Sequence, residues 1–469
     1  MHVEFLTGSS GSGKSKRLYD ILLDMSQENP DKKIFLVVPE QFTMQAQRNI
    51  VENSPGHGTF NIDIVSFNRL AYRIFEELGI ELPTAIDDTG KNLILRKIID
   101  ENKKDFKIIR AKDSQGFVSE IKSVISELLQ YSVTADMLKD ACGRLSTGGI
   151  NNNERLRRKL EGISLIYSAF KEYISDKYIT TEEVTAILCR YVDKSELLEN
   201  AVFAFDGFTG FTPVQYQLIE LLFDKADTMY FTLTLPQDGD RWLFDMSYDE
   251  LRRIGECADR HHVRVRRMNV GEAVPYRFKD SPQLAHLERN LYRDMAQYDG
   301  EADNITIYSA LGKKAEVAYV ASRIKSLVEN GLRYRQIGVI VSSMADYKEL
   351  LASIFEENKI PVFMDNKRSI LANPAVEYIR AALAIVEKDY SYESVFRLLK
   401  GYMCKNSGRF VDSVGSLDIF ENYVLALGIR GHKKYTEAFR RRYPSRRGMD
   451  LDVINDIRVK LLELMEPVY

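Results

Sequence analysis

The sequence predicts an α/β protein with two parallel-sheet domains, a phosphate-binding loop at the start of the first, and a helical insertion in each. Three observations carry this prediction. A glycine-rich stretch, "LTGSSGSGKSKRLY" at residues 6–19, lies between a short apolar run and a helix-period segment. Short apolar runs alternate with helix-period stretches in two separate parts of the chain, the pattern of parallel strands joined by crossover helices. Elsewhere strand patterns give way to helical repeats such as "FVSEIKSVISELLQY" and "RRKLEGISLIYSAFKEYI".

The first strand is "VEFL", residues 3–6, and the helix after the loop carries Leu18, Ile21, Leu22 and Met25 at helical spacing. The loop between them fits G-x-x-x-x-G-K-[ST] through Gly8, Gly13, Lys14 and Ser15. Gly8, Ser9, Ser10, Gly11, Ser12, Gly13, Lys14 and Ser15 form the candidate ATP-binding set. Glycines let successive N–H groups turn toward phosphate oxygens, and the N-terminus of the following helix faces the anion. Lys14 reaches the β- and γ-phosphates while the Ser15 hydroxyl serves Mg²⁺. ATP and Mg²⁺ are the expected cofactors, with no metal besides the nucleotide's magnesium.

Next come Ile34 to Val38, an apolar run stopped by Pro39, and "FNIDIVSFNRLAYRIFEELG", a strand running into a helix. Residues 85–197 read as a helical insertion. "AVFAFDG" and "TMYFTLTLP" then flank the helical "PVQYQLIELLF", so residues 198–240 continue the sheet begun in residues 1–84. Residues 241–303 read as a charged connecting region without a strand pattern. A second α/β block covers 304–372: "NITIYSA", a helix with Val317, Val320, Ala321, Ile324, Leu327 and Val328 on one face, the strand "IGVIVS", and the helix and strand of "ADYKELLASIFEENKIPVFMD". Residues 373–469 are helical again, expected as an insertion cut off at the C-terminus.

The 469 residues are 45% hydrophobic and 28% charged, enough apolar material for several cores. A net charge of -3 gives no bulk attraction to nucleic acid, so any such binding needs local patches. Cys142, Cys189, Cys257 and Cys404 lie too far apart in sequence for zinc or iron–sulfur spacing. No uncharged apolar stretch reaches membrane length, and "MHVEFLTG" lacks the charge and apolar core of a signal peptide, so a reduced cytoplasmic chain with no membrane partner is expected. His261 and His262 have no Cys or His at ligand spacing, which argues against a metal site there.

Two basic clusters stand out. Residues 252–267 hold six arginines, and residues 430–447 hold eight Lys or Arg with Tyr435, Phe439 and Tyr443 interleaved. Each could follow a phosphate backbone or form a solvated or subunit-facing surface. The interleaved rings make the second the better candidate for DNA.

In the order of its parts the chain resembles a superfamily 1 DNA helicase, with two P-loop/RecA-like domains. In wording it resembles the B subunit of the AddAB (RexAB) ATP-dependent helicase–nuclease, in "GSSGSGKS", "LVVPEQFTMQAQ", "IVSFNRLAYRIFEELG", "FAFDGFTGFTPVQYQLIELL" and "IPVFMDNKRSILANPAVEYIRAAL". The resemblance implies a heterodimer that unwinds and degrades DNA ends for recombination repair. The A subunit is the implied partner and carries the active motor; duplex ends and single strands are the implied substrates. It also implies that the B subunit's helicase-like front half reads the Chi sequence. The family's nuclease and 4Fe–4S cluster belong to a C-terminal region, expected past residue 469, so no residue here is assigned nuclease chemistry.

Superfamily 1 motors end a buried strand with an Asp-Glu pair, the aspartate serving magnesium and the glutamate positioning water. Asp206 follows the apolar run Ala201 to Phe205 and matches the aspartate, although Asp-Gly is also a common turn signal. Gly207 stands where the glutamate belongs. The resemblance therefore implies a degenerate motor unless Glu40 or another acid substitutes. A glutamine motif before the loop and a Gly-Asp-x-x-Gln segment after the next strand are also missing, implying little base selectivity and little coupling to movement. Gln41, Thr43 and Gln45 in "PEQFTMQAQ", and Ser66, Phe67, Asn68 and Arg69 in "SFNRLAYR", are candidate DNA contacts, with Phe67 either stacking a base or packing in the core. Two other readings use the same loop: a P-loop small-molecule kinase or unrelated ATPase, and a non-hydrolysing DNA-binding scaffold.

Overall fold

Side-chain alternation along a handful of strands decides how the phosphate loop is presented. The structure, a computed structural model, describes residues 1–468 apart from 55, 57, 59–60, 103–114, 148–152, 176, 238, 272–273, 294, 365–369, 407–409, 411–414 and 443–449. It divides into two units, residues 1–307 and 308–469.

The first unit opens with β1 (His2–Gly8), the glycine-rich loop and α1 (Lys14–Glu28). β2 (Ile34–Val37) leads through a short 3-10 turn to α2 (Thr43–Asn53), and β3 (Ile62–Val65) to α3 (Phe67–Glu77). β4 (Thr84–Ile86), α4 (Asp88–Glu101), α5 (Gln115–Gln130), α6 (Ala135–Thr147), α7 (Asn153–Ile174), β5 (Tyr178–Thr180) and α8 (Val184–Leu188) follow. The main sheet resumes with β6 (Val202–Phe205), α9 (Pro213–Leu222), β7 (Thr228–Thr234), α10 (Asp245–Arg260) and β8 (Arg264–Asn269), and α11 (Pro282–Asn290) comes last. Six strands form one parallel sheet in the order β3-β2-β6-β7-β1-β8; β4 and β5 pair separately.

Alternation sorts this sheet into two unlike faces. Phe5, Phe35, Phe203, Phe205 and Phe231 share one core with α3, α9 and α10. Their rings stack across strands, Phe205 on Phe231 at 4.7 Å and Phe35 on Phe203 at 5.1 Å. Leu6, Leu36, Val202, Ala204 and Tyr230 point the other way, into a core with Leu18, Tyr19, Leu22 and Leu23 of α1. Helix starts are marked by their caps: Ser66 accepts from the Arg69 N–H at the head of α3, and Thr212 and Gln215 form a reciprocal capping box at α9. The helices α4 to α7 close on their own core around Leu95, Ile125, Ile166 and Phe170. Lys91, buried beside it, donates to Glu182 and Ser126.

β8 is a strand that the pattern of "RVRRMN" does not announce. It borders β1 in register from His2 to Thr7, yet most of its residues are exposed, so no apolar alternation marks it. It makes part of the charged region 241–303 an edge of the sheet.

In the second unit α12 (Lys313–Glu329) packs on α13 (Met344–Glu357) through Val317, Ala321, Ile324, Leu351, Ile354 and Phe355. A separate core joins α14 (Pro374–Glu387), α15 (Tyr392–Leu399), α17 (Ser416–Ala426) and α19 (Leu451–Met465), with the short α16 (Tyr402–Asn406) and α18 (His432–Thr436) between them. The three stretches expected as strands, 304–310, 337–342 and 360–365, make no ladder among their described residues. An apolar run becomes a strand only when a neighbour takes its N–H and C=O groups. Ile307, Ile340 and Phe363 are instead 96%, 98% and 91% exposed.

The aromatic face sets an expectation for stability. Phe205→Ala should lower the stability of the sheet unit by about 3–5 kcal/mol, read as a drop in the urea midpoint of its unfolding transition.

Candidate nucleotide site and the groove beside it

The register of the sheet brings Asp206 to the phosphate loop. Phe205 pairs with Phe231, so Asp206 lies beside Thr232, and Leu6 pairs with Thr232 from the other side. Val202 and Ala204 face α1, and two residues on Asp206 faces the same way. The carboxylate is only 5% exposed and receives three hydroxyls. Ser15 Oγ donates to Oδ1 at 2.9 Å, Thr232 Oγ1 to Oδ1 at 2.6 Å, and Tyr19 OH to Oδ2 at 2.8 Å.

The loop itself has the geometry of an anion cradle. α1 begins after Gly13 at φ 96° with no side-chain cap, which leaves first-turn N–H groups pointing outward. Lys14 Nζ donates to the carbonyls of Gly8 and Ser9 at 3.1 and 2.8 Å. Ser12 Oγ is buried and has no hydrogen-bond partner among the described residues. At Gly8 any Cβ would lie 2.2 Å from the Val270 carbonyl oxygen, so only glycine fits where the loop leaves β1. Burial pushes the Lys14 ammonium down to about 8; Asp206 pulls it back up, Arg277 pushes it further down and Glu288 pulls it up.

Arg277, Glu288, Tyr19 and Thr232 are members of this site that the sequence did not announce. Arg277 donates its backbone N–H to Gly11 O at 3.1 Å, and its side chain closes over Gly11. Tyr19 had a legible signal, since it lies four residues after Ser15 on one helix face. Arg277 and Glu288 had none, because they come from the segment after β8. A cleft of about 610 Å³ opens from Gly8 and Ser9 onto that segment, with Gln237, Asn269, His286 and Arg293 among its walls.

Gly207 has φ +78°, its N–H donates to Thr232 Oγ1 at 3.4 Å, and a Cβ there would meet nothing nearer than Pro39 Cδ at 3.7 Å. Space for a side chain exists; the left-handed backbone is what disfavours one.

A second groove of about 390 Å³ lies over the ends of β2, β3 and β6, lined by Glu40, Ser66, Phe67, Asn68, Glu182 and Phe208 among others. Phe67 is buried, meeting Phe205, Phe208 and Phe211, because the aromatic face of the sheet continues into this loop. Of the two readings of Phe67, it takes the packing one. Ser66 is occupied as the cap of α3, and Thr43 is buried with its hydroxyl on Glu40 O. Gln41, Gln45 and Arg69 are exposed and Asn68 is half-buried. No lysine or arginine lines this groove among the described residues, whereas Glu40 and Glu182 do.

Four of the six arginines in the first basic cluster are engaged, whereas the described lysines and arginines of the second are exposed. Arg252 pairs with Asp249 and Glu256, Arg253 with Asp249, and Arg260 with Glu220, while Arg267 donates to Thr7. His261 lies between Asp224 and Glu220. In residues 430–447 the rings of Tyr435 and Phe439 belong to the core, so they are not free to stack on bases; Tyr443 lies outside the described residues.

Comparison with known proteins matches the chain to two family models. Residues 5–288 match the family model "ADDB, N-terminal" and residues 279–428 match the "UvrD-like helicase C-terminal domain". The chain belongs to the AddB family. It is 36% identical, over all of its length, to the B subunit of the ATP-dependent helicase/deoxyribonuclease of Lachnoclostridium phytofermentans, covering 41% of that protein. The corresponding B subunits from Clostridium novyi and Clostridium kluyveri are 34% and 33% identical, over 99% and 92% of this chain and 40% and 38% of theirs. The chain thus spans about two fifths of the length of the curated relatives it matches. Among the described residues no helix is long and apolar enough to cross a membrane.

The lowered Lys14 pKa would make any phosphate binding at this loop depend on pH. A bound polyphosphate favours the ammonium form, so binding takes up a proton once the pH exceeds about 8. ATP affinity should stay flat from about pH 7 to 7.5 and then fall by up to about tenfold per unit above about pH 8. Titration calorimetry across that range checks this; the Lys14→Ala variant should lose the slope.

Proposed function

We propose that this chain is the helicase-like front region of one member of a heterodimeric DNA helicase–exonuclease that processes double-strand breaks for recombination, and that its nucleotide site holds ATP but hydrolyses it slowly. The observation that carries this is the Ser15–Asp206–Thr232 cluster ending in Gly207, a cation-side carboxylate followed by glycine at the position where an acid would hold water. The names of the relatives, each the B subunit of a helicase/deoxyribonuclease, support a partner A subunit and DNA as the substrate.

On this reading the loop N–H groups and Lys14 bind the phosphates, and the unpartnered hydroxyl of Ser12 gains an acceptor. Ser15 and Asp206 would hold Mg²⁺, which would supply positive charge against the phosphates. The cleft of about 610 Å³ has the size of a small-molecule site and leaves room for the nucleoside. Arg277 is placed to stabilise charge at the loop. Single-stranded DNA would run past Gln41, Asn68 and Arg69, and this front region would take part in reading Chi. The nuclease and 4Fe–4S chemistry belong to other parts of the family's architecture, and the site of action is the cytoplasm.

Equilibrium titration of ATP against wild type and Lys14→Ala, with DNA-stimulated hydrolysis measured alongside, tests the proposal. Micromolar binding by wild type, at least tenfold weaker binding by Lys14→Ala, and turnover well below about 1 s⁻¹ are expected. Fast DNA-stimulated turnover by this chain would overturn the slow-site reading. Absence of binding would favour a scaffold, and phosphoryl transfer to a metabolite would favour a kinase.

A further inference from the structure

We propose that Tyr19 is a positioning residue of the nucleotide–magnesium site, holding the Asp206 carboxylate in the one orientation that leaves Ser15 and Asp206 ready for a cation. The inference rests on the nucleotide reading above and assigns a role that the P-loop pattern does not contain, since the pattern ends at Ser15.

Three facts place Tyr19 there. Its hydroxyl is 2.8 Å from Asp206 Oδ2, the only donor to that oxygen among the described residues. The other two hydroxyls, from Ser15 and Thr232, both go to Oδ1. Tyr19 also belongs to the core between α1 and the sheet, together with Leu6, Leu18 and Ala204. A carboxylate held through one oxygen alone can swing about its last torsion, which is broad and roughly two-fold. Held through both, it has a fixed plane.

The division of labour follows from what each hydroxyl can do. Ser15 oxygen keeps a lone pair for a cation while its proton stays on Asp206. Thr232 accepts from the Gly207 N–H and donates to Oδ1, tying the carboxylate to the turn that follows it. Tyr19 OH makes no other hydrogen bond among the described residues, so its one proton is committed to Oδ2. Partners behind a metal ligand of this kind set cation affinity rather than phosphate affinity.

That difference gives the test. Affinity for ADP carrying a fluorescent ribose label is measured in Mg²⁺ and in EDTA for wild type, Tyr19→Phe, Thr232→Val and Thr232→Ser, with thermal melts confirming that each is folded. Tyr19→Phe should keep its EDTA affinity within about twofold and lose about tenfold in Mg²⁺, with half-saturating Mg²⁺ rising by a similar factor. Thr232→Val should behave alike and Thr232→Ser like wild type. A Tyr19→Phe variant with the full Mg²⁺ gain overturns the inference, as does an equal loss with and without Mg²⁺, which marks a merely structural ring. If Tyr19→Phe melts early, the Thr232 pair decides: an undiminished Mg²⁺ gain in Thr232→Val overturns the proposal. Wild type that binds no nucleotide in either medium sinks the nucleotide reading itself, a result distinct from wild-type binding with an indifferent Tyr19→Phe.

Discussion

A carboxylate buried at the end of a central strand must be surrounded by donors, because an uncompensated interior charge costs several kcal/mol. Asp206 meets that condition with three hydroxyls drawn from α1 and β7. Much of the first unit can be understood from this requirement. The strand order puts β7 between β1 and β6, so the loop after β1 and the carboxylate after β6 face each other across the end of one strand. Alternation then decides which face receives the carboxylate, and it is the α1 face, away from the stacked phenylalanines.

The two faces of the sheet have different work. On one, Phe5, Phe203, Phe205 and Phe231 contribute packing and a rigid support for the strand ends. On the other, smaller residues let α1 come close, and the same closeness brings Ser15 and Tyr19 within hydrogen-bond range of Asp206. The aromatic face continues through Phe67, Phe208 and Phe211, and Phe67 and Phe208 line the groove over β2, β3 and β6. Glu40 and Glu182 line it and no described lysine or arginine does, so a DNA backbone would need cations from elsewhere.

The legible parts of this chain were those governed by local chemistry. The strand, loop and helix around Lys14 could be read because phosphate binding needs glycines and a lysine at fixed spacing, and Asp206 because a carboxylate closing an apolar run is conspicuous. What the sequence hid was non-local. β8 is an exposed arginine-rich edge that becomes a strand only by lying beside β1, and Arg277 reaches the loop only because β8 is there. Tyr435 and Phe439 looked like stacking residues among cations, yet both are folded into the core of the second unit. The runs at 304–310 and 337–342 read as strands on pattern alone, a reading that supplies no partner for their backbone groups.

At Gly207 the backbone, and not the space around it, sets the cost of a side chain. A non-glycine residue held at φ +78° pays about 1–2 kcal/mol of backbone strain, although nothing blocks its Cβ. The turn is held in place by the Gly207 N–H on Thr232 Oγ1, the same hydroxyl that donates to Asp206. Relaxing the turn to suit a glutamate would therefore pull on the group that steadies the carboxylate beside it. On the proposed reading of the site, holding Asp206 firmly and presenting an acid to water would compete at this turn, and glycine at 207 suits the holding.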